Sequence, residues 1–235
     1  GYTDEEWQFL QNQMICDLNE GYAIYRPRYI LPDYNVYIEK GCEFLELPAP
    51  KNLDEALDGL LILYSHVPSI TTFPVYIGRL DVLLDPFITD EEQDYIKIKR
   101  FLNHVDKTVP DSFCHANIGP YDTKAGRLIL KAVIELEAPT PNMTIRYDKS
   151  KTSREFAELA AKACLLVSKP SFANDAYYIS DLGEQYGIAS CYNALPECGG
   201  AYTLTRLRLG TIARACKTVD EMVNELLPRV SKCAL

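Results

Sequence analysis

The chain alternates strand-like and helix-like segments from residue 71 to residue 191, and this alternation constrains the fold more than any other feature of the sequence. Strands that alternate with helices along a chain form parallel sheets through right-handed crossover connections. The strand-like runs are residues 71–77, 112–116, 142–147, 170–173 and 188–191. We therefore predict an α/β fold with five parallel strands.

Helix starts are marked by a capping residue that a Glu follows three positions later, which is the spacing of a capping box. The pairs are Thr3 with Glu6, Asn52 with Glu55, Thr89 with Glu92, Thr152 with Glu155, and Thr218 with Glu221. The first helix is predicted to continue to Gly21, and the last to bend at Pro228. The apolar face of the first helix would consist of Trp7, Leu10, Met14 and Leu18.

Residues 21–50 are rich in Tyr and Pro, and they are predicted to form an extended arm packed against the body, with a strand near Asn35 to Ile38. The predicted organisation has three regions. Residues 1–60 form a helix, the arm and a second helix packed on the core. Residues 61–217 form the α/β core, and residues 218–235 form a C-terminal helix.

Charge and composition exclude several classes of function. A net charge of −9 repels phosphate backbones and argues against nucleic-acid binding. No apolar run approaches the roughly 20 residues that span a bilayer, and the acidic start matches no signal or transit peptide. The eight cysteines are scattered without a Cys-x-x-Cys pair, and His66, His104 and His115 show no ligand spacing. We expect a cytoplasmic protein with reduced thiols, no metal site and no membrane partner.

The candidate site lies where the predicted strands end, because ligands of open parallel sheets bind at the carboxyl ends of the strands. Polar segments follow the strands at residues 78–81, 115–117, 148, 174–175 and 191–193. Cys191 is the candidate reactive thiol, with Cys198 as the second choice. The candidate substrate-binding residues are Arg79, His115, Asn117, Asn193 and His66. Structural alternatives are a buried inert cysteine, a hydrogen-bonded core His115 and an ion pair between Arg79 and Asp81.

Several of these segments resemble those of glycyl-radical enzymes. Residues 72–87 resemble the segment that precedes the active-site cysteine in that family, and residues 188–193, followed by Gly199, Gly200 and residues 205–209, resemble its cysteine finger loop. Together with residues 114–120 and 141–147, they make the chain most similar to YjjI-type glycine radical enzymes, from about Leu60 to Leu209.

The resemblance implies a fold and a chemistry. The family fold is a ten-stranded α/β barrel built from two five-stranded parallel half-barrels, and residues 61–217 would supply one half with its finger loop. Cys191 would relay a hydrogen atom, first losing its own to a stored glycyl radical and then taking one from a C–H bond of a small organic substrate. The glycyl radical would be installed by a radical SAM activating enzyme, and this chain itself would bind no cofactor.

The sequence also departs from the family. An Arg followed three residues later by Gly and then by Tyr or Phe, the family's C-terminal signature, is absent, since Gly210 stands at the wrong distance from Arg206 and Arg208. We therefore expect a fragment, a truncated form or an incomplete homologue that is inactive alone. The open strand edges of a lone half-barrel predict a homodimer or other partner contacts.

The neighbours of Cys191 narrow the expected reaction. Ser190 stands where pyruvate formate-lyase has a second cysteine, and Asn193 stands where eliminating members have a glutamate base. Glu197 is either a displaced base or a solvated loop charge. Two other functions stay open at this point: a non-enzymatic α/β binding or scaffold module, and a thiol-dependent hydrolase or transferase that pairs Cys191 with His115 or His66.

Overall fold

The computed structural model describes residues 3–17, 27–71, 75–108, 114–138, 140–189, 193–201 and 205–234. The chain divides into two compact units, a larger one from Arg26 to Gly200 and a smaller one that joins Gly1–Tyr25 with Ala201–Leu235. The division at residues 60 and 217 stays a prediction. None of the helices in the described ranges is long and apolar enough to cross a membrane.

The helices and strands are numbered in chain order. The helices are α1 (Asp4–Gln11), α2 (Asn35–Lys40), α3 (Leu53–His66), α4 (Leu80–Leu84), α5 (Glu91–Thr108), α6 (Lys124–Leu136), α7 (Arg154–Val167), α8 (Asp175–Leu182), α9 (Leu209–Arg214), α10 (Val219–Glu221) and α11 (Leu227–Ala234). The strands are β1 (Ile15–Asp17), β2 (Tyr29–Ile30), β3 (Val75–Arg79), β4 (Cys114–Ile118), β5 (Asn142–Tyr147), β6 (Ser171–Asn174), β7 (Tyr186–Ala189), β8 (Asn193–Pro196), β9 (Gly200–Ala201) and β10 (Thr205–Leu207).

The larger unit is built on a four-stranded parallel sheet in the order β3-β4-β5-β6. Helices α5, α6 and α7 connect successive strands and pack side by side. This confirms the α/β class and four of the five predicted strands. The fifth prediction was wrong in its pairing, because β7 does not join the parallel sheet. Instead β7 pairs antiparallel with β8, with Tyr186 opposite Pro196 and Ala189 opposite Asn193.

Local capping chemistry explains where the helices begin. The Thr3–Glu6 capping box forms, and the side chains of Asn52 and Thr218 cap α3 and α10 as predicted. Two caps lie one residue later than predicted. Asp90, rather than Thr89, accepts hydrogen bonds from the first turn of α5, and Ser153, rather than Thr152, accepts one from Phe156 N.

Two elements differ from the prediction. The first helix ends at Gln11 instead of Gly21, because Gln13 adopts a left-handed φ of 56° and the chain turns into β1, which pairs with β10. Phe9 rather than Trp7 enters the core of the smaller unit, together with Met14, Ile15, Ile212 and Val230, and Trp7 is 53% exposed. Residues 35–40 form α2 instead of a strand.

The described tyrosines of residues 27–50 pack on the body of the larger unit. Tyr34 is buried with its ring edge-on to Tyr64 at 5.1 Å, and its hydroxyl donates to Tyr76 O at 2.9 Å. Tyr37 is also buried, and its hydroxyl donates to Glu55 O at 3.0 Å. In the smaller unit, a π-helical turn at Met222–Leu226 precedes Pro228, the residue predicted to perturb the last helix, since proline provides no N–H.

Candidate functional site

One face of the parallel sheet carries buried polar side chains. Alternation along the strands, with the register pairs His115–Asn142 and Asn117–Thr144, places these four residues on the same face. Arg146 follows Thr144 by two residues and lies on that face as well. Of these, His115, Asn117, Thr144 and Arg146 are at most 2% exposed. Buried polar groups require partners, so this face is specialised for contacts other than apolar packing.

The β7–β8 hairpin lies against this polar face, held by a side chain that imitates a neighbouring strand. Asn117 Nδ2 donates to Ile188 O at 2.9 Å, and Asn117 Oδ1 accepts from Ile188 N at 2.7 Å. The amide thus satisfies both backbone groups of Ile188. The structure therefore places Asn117, which the sequence predicts to bind substrate, beneath the hairpin with a positioning contact.

A close approach of two elements supports the same arrangement. A Cβ atom added to Gly187 would lie 2.5 Å from Tyr76 Cζ, so the fully buried Tyr76 ring packs directly on the backbone of β7. Only glycine allows this contact. The hairpin is therefore attached to the sheet at adjacent residues of β7, Gly187 through packing and Ile188 through hydrogen bonds.

A buried ion pair holds the start of the hairpin. Arg146 Nε donates to Asp175 Oδ1 at 2.7 Å, and its two terminal nitrogens donate to Tyr186 O and Glu184 O, each at 3.2 Å. Tyr186 Oη also donates to Asp175 Oδ1, at 2.8 Å, and Lys151 Nζ lies 3.2 Å from Asp175 Oδ2. Burial opposes ionisation of Asp175, but the hydrogen bonds from Arg146 and Tyr186 outweigh burial and keep its pKa below the ordinary value.

Sequence reasoning placed Asp175 on the candidate rim and did not consider Arg146. A usable signal was present, because an arginine inside an otherwise mostly apolar strand needs a buried partner.

At the ends of β3 and β4, two side chains bind the peptide groups of Gly119. Arg79 Nη2 donates to Gly119 O at 3.1 Å, and Asp81 Oδ2 accepts from Gly119 N at 2.7 Å. Gly119 has a φ of 80°, and a Cβ there would lie 2.9 Å from Arg146 O, so glycine is required. Burial raises the pKa of the Asp81 carboxyl to about 6.

Glu197 is half-buried beside the polar face, where Tyr76 Oη donates to its Oε1 at 3.4 Å. Burial and the charge of Asp33 raise the pKa of Glu197, and Arg79 and Arg146 partly oppose them. Its backbone N donates to Gln185 O at 2.9 Å, at the open end of the hairpin. With about 3.4 Å per residue, Glu197 lies about 14 Å along the strand from Asn193, which begins β8 next to residues 190–192.

The remaining predicted residues lie in different places. His115 is in the first half of β4, so its predicted position at the strand end was wrong, and burial lowers its pKa to about 4. His66 is exposed as the last residue of α3, Asn193 is exposed as the first residue of β8, and Cys198 is exposed. Cys191, with Ser190, lies outside the described residues. In the described part of the chain, no three His, Cys, Asp or Glu side chains are grouped as metal ligands would be.

One known family matches the chain over its whole length. Residues 1–235 match the family described as "Glycyl radical enzyme YjjI-like". The chain belongs to this family. The resemblance inferred from the finger-loop residues is thereby confirmed.

Two curated relatives of this YjjI-like protein are similar along nearly all of its sequence. An "Uncharacterized protein" of Haemophilus influenzae is 92% identical over 235 residues, which is 100% of this chain and 46% of the relative. "Uncharacterized protein YjjI" of Escherichia coli is 46% identical over 222 residues, which is 93% of this chain and 43% of the relative. The chain spans less than half the length of both relatives.

Proposed function

We propose that this chain is part of the catalytic core of a glycyl radical enzyme in which Cys191 relays a hydrogen atom to and from a small organic substrate. The observation that carries the proposal is the β7–β8 hairpin, which lies on a buried polar sheet face and whose three connecting residues, 190–192, include Cys191. Membership of the YjjI-like family over residues 1–235 supports it.

The relay consists of two hydrogen-atom transfers, and each transfer breaks one bond and forms another. A glycyl radical, when the complete polypeptide carries one, stores an unpaired electron on a backbone Cα and accepts a hydrogen atom. The S–H bond of Cys191 breaks homolytically, the hydrogen atom moves to that Cα, and the unpaired electron stays on sulfur. Sulfur then takes a hydrogen atom from a substrate C–H bond, which restores the thiol and leaves the unpaired electron on the substrate carbon.

The described residues would serve this chemistry by holding the hairpin still and excluding water. Asn117 fixes Ile188, three residues before Cys191, and the Arg146–Asp175 pair fixes the start of β7. Placement within a fraction of an ångström matters for atom transfer, because rates fall steeply with misalignment. The hairpin contacts are therefore positioning contacts in this proposal.

The larger unit would form one half of a ten-stranded α/β barrel, with the remaining strands supplied by the rest of the complete polypeptide. A radical SAM enzyme would act as the activating partner, and a homodimer is a further expected assembly. Ser190 argues against thioester transfer, because its hydroxyl does not replace the second thiol that this reaction uses. Asn193 argues against a glutamate-assisted elimination, because its amide does not replace the carboxylate base.

A hydrolase that pairs Cys191 with His115 is less well supported. Burial lowers the pKa of His115 to about 4, far below the value near 7 that suits a general base.

The relay can be tested without knowing the substrate. The complete gene product is activated anaerobically by its radical SAM enzyme, and the glycyl signal is recorded by EPR in H₂O and in D₂O. In D₂O the thiol becomes S–D, so a relay delivers deuterium to the glycine Cα, and the α-hydrogen doublet should collapse to a singlet. The Cys191→Ser variant should keep the doublet, whereas Cys198→Ser, the matched control, should exchange like the wild type.

Two results would contradict the proposal. One is the absence of a glycyl signal from the complete gene product. The other is an exchange in Cys191→Ser that is as fast as in the wild type.

A further inference from the structure

A cavity of about 300 Å³ lies beside the hairpin in the larger unit. Strands β5, β6 and β7 and helix α8 form its walls. The lining residues are Thr144, the four residues of β6, Tyr177, Tyr178 and Ile188. At about 30 Å³ per water-sized volume, the cavity suits a molecule of about ten non-hydrogen atoms or fewer.

The described residues that line it carry hydroxyl, amide, aromatic and aliphatic groups, and none of them has a charged side chain. The nearest buried charges along the chain, Arg146 and Asp175, are paired with each other at 2.7 Å. An anionic ligand would lose its hydration without gaining a cation, and burial of an unpaired charge is strongly unfavourable. The cavity therefore favours an uncharged ligand.

The hydroxyl of Thr144 supplies the polar contact deep in the cavity. Thr144 is 1% exposed, and its Oγ1 has no hydrogen-bond partner among the residues that the structure describes. Ser171 is its register partner on β6, so the two side chains lie on the same face, about 4.8 Å apart in the strand-pairing direction. Two adjacent hydroxyls, one of them buried without a partner, match a ligand that carries hydroxyl or carbonyl groups.

Aromatic rings form the outer wall. The rings of Tyr177 and Tyr178 meet edge-on at 5.4 Å, and Tyr178 lies 5.4 Å from Tyr186. Such rings bind C–H edges of a ligand by apolar contact. Ile188 also lines the cavity and lies three residues before Cys191 in the sequence, and three residues of chain span at most about 11 Å.

We propose that this cavity binds the substrate and that the substrate is an uncharged, hydroxyl-bearing molecule of sugar or polyol type. Its binding to the cavity needs no radical, but its role as substrate rests on the proposed function. Thr144 and Ser171 bind its oxygens, and the tyrosines cover its carbon edges.

The test uses the complete, unactivated gene product and matched probe pairs, 1,2-propanediol against lactate and D-ribose against D-ribonate, with saturation-transfer NMR titrations. In at least one pair the neutral member should bind at least tenfold more tightly than its anionic partner. Thr144→Val, which keeps the side-chain volume, should weaken the neutral member roughly three- to tenfold, as expected for one lost hydrogen bond.

Thr71→Val is the matched control, because Thr71 is equally buried but its hydroxyl already donates to Val67 O at 3.2 Å. It should lower stability and leave binding unchanged, whereas Thr144→Val removes a hydroxyl without a partner and should not lower stability. Equal or tighter binding of both anions, no binding of either neutral probe, or wild-type binding by Thr144→Val would overturn the proposal. If the neutral probes do not bind but the glycyl signal exchanges deuterium through Cys191, only the cavity site is rejected. If the neutral probes bind but Cys191→Ser exchanges as fast as the wild type, only the Cys191 relay is rejected.

Discussion

The contact between Asn117 and Ile188 allows the sharpest test of how this fold holds its hairpin. Replacement of Asn117 by Leu keeps the side-chain size but removes both hydrogen bonds, at 2.9 and 2.7 Å, from the buried backbone of Ile188. Each buried polar group left without a partner costs about 1–3 kcal/mol, and leucine regains part of this by apolar contact. We expect Asn117→Leu to lower the free energy of unfolding by about 2–4 kcal/mol.

Urea unfolding followed by circular dichroism measures this loss, and amide hydrogen exchange of Ile188 localises it. Exchange at Ile188 should accelerate well beyond the change at residues of α6, because the hairpin opens before the sheet does. Asn103→Leu, on the exposed surface of α5, is the control and should change the free energy of unfolding by less than about 0.5 kcal/mol. An unfolding free energy within about 1 kcal/mol of wild type, with unchanged exchange at Ile188, would refute the positioning role of Asn117.

Three further predictions concern buried ionisable groups and are checked by urea unfolding. The folded pKa of Asp81, about 6, lies above its unfolded value of 3.8, so its contribution to stability is lost as pH rises from 4 to 6; Asp81→Asn should abolish this loss of up to about 3 kcal/mol. The folded pKa of His115, about 4, lies below its unfolded value of 6.5, so the free energy of unfolding decreases as pH falls from 6.5 to 4. His115→Gln should reduce this decrease, and a decrease equal to that of the wild type would contradict the lowered pKa of His115. Asp175→Asn leaves Arg146 buried without a counter-charge and should cost about 3–5 kcal/mol at pH 7, whereas Glu158→Gln, in an exposed pair, should cost less than about 1 kcal/mol; equal effects would contradict this account.

The elements that sequence patterns predicted well are those governed by neighbouring residues. The predicted strand at residues 142–147 matches β5, and the capping pairs that begin with Asn52 and Thr218 mark the starts of α3 and α10. The predictions for the end of α1 and for α2 were wrong, and the local causes are not visible in the hydrophobic pattern. Gln13 adopts a left-handed φ that ends α1, and the Asp33 carboxylate accepts from Asn35 N at the start of α2 in a segment that otherwise resembles a strand.

The candidate site was less predictable than the fold. The rule that polar residues follow parallel strands brought Arg79, Asp81 and Asp175 to the correct edge of the sheet. It also placed His115 there, although His115 lies near the start of β4. The rule gives no information on which polar residue contacts which, because this depends on register and on elements distant in sequence.

The sequence by itself determined the α/β class, the alternation of strands and helices from β3 to β6, and family membership, because these depend on periodicity, capping and motifs within short stretches of chain. The tertiary structure alone decided that β7 and β8 form a hairpin on the polar face, that Asn117 binds Ile188 from 71 residues away, and that Arg146 and Asp175 form a buried pair. Such long-range contacts depend on the register and twist of the whole sheet. A local sequence pattern cannot specify them, because many polar residues compete for each buried partner until the fold brings two of them together.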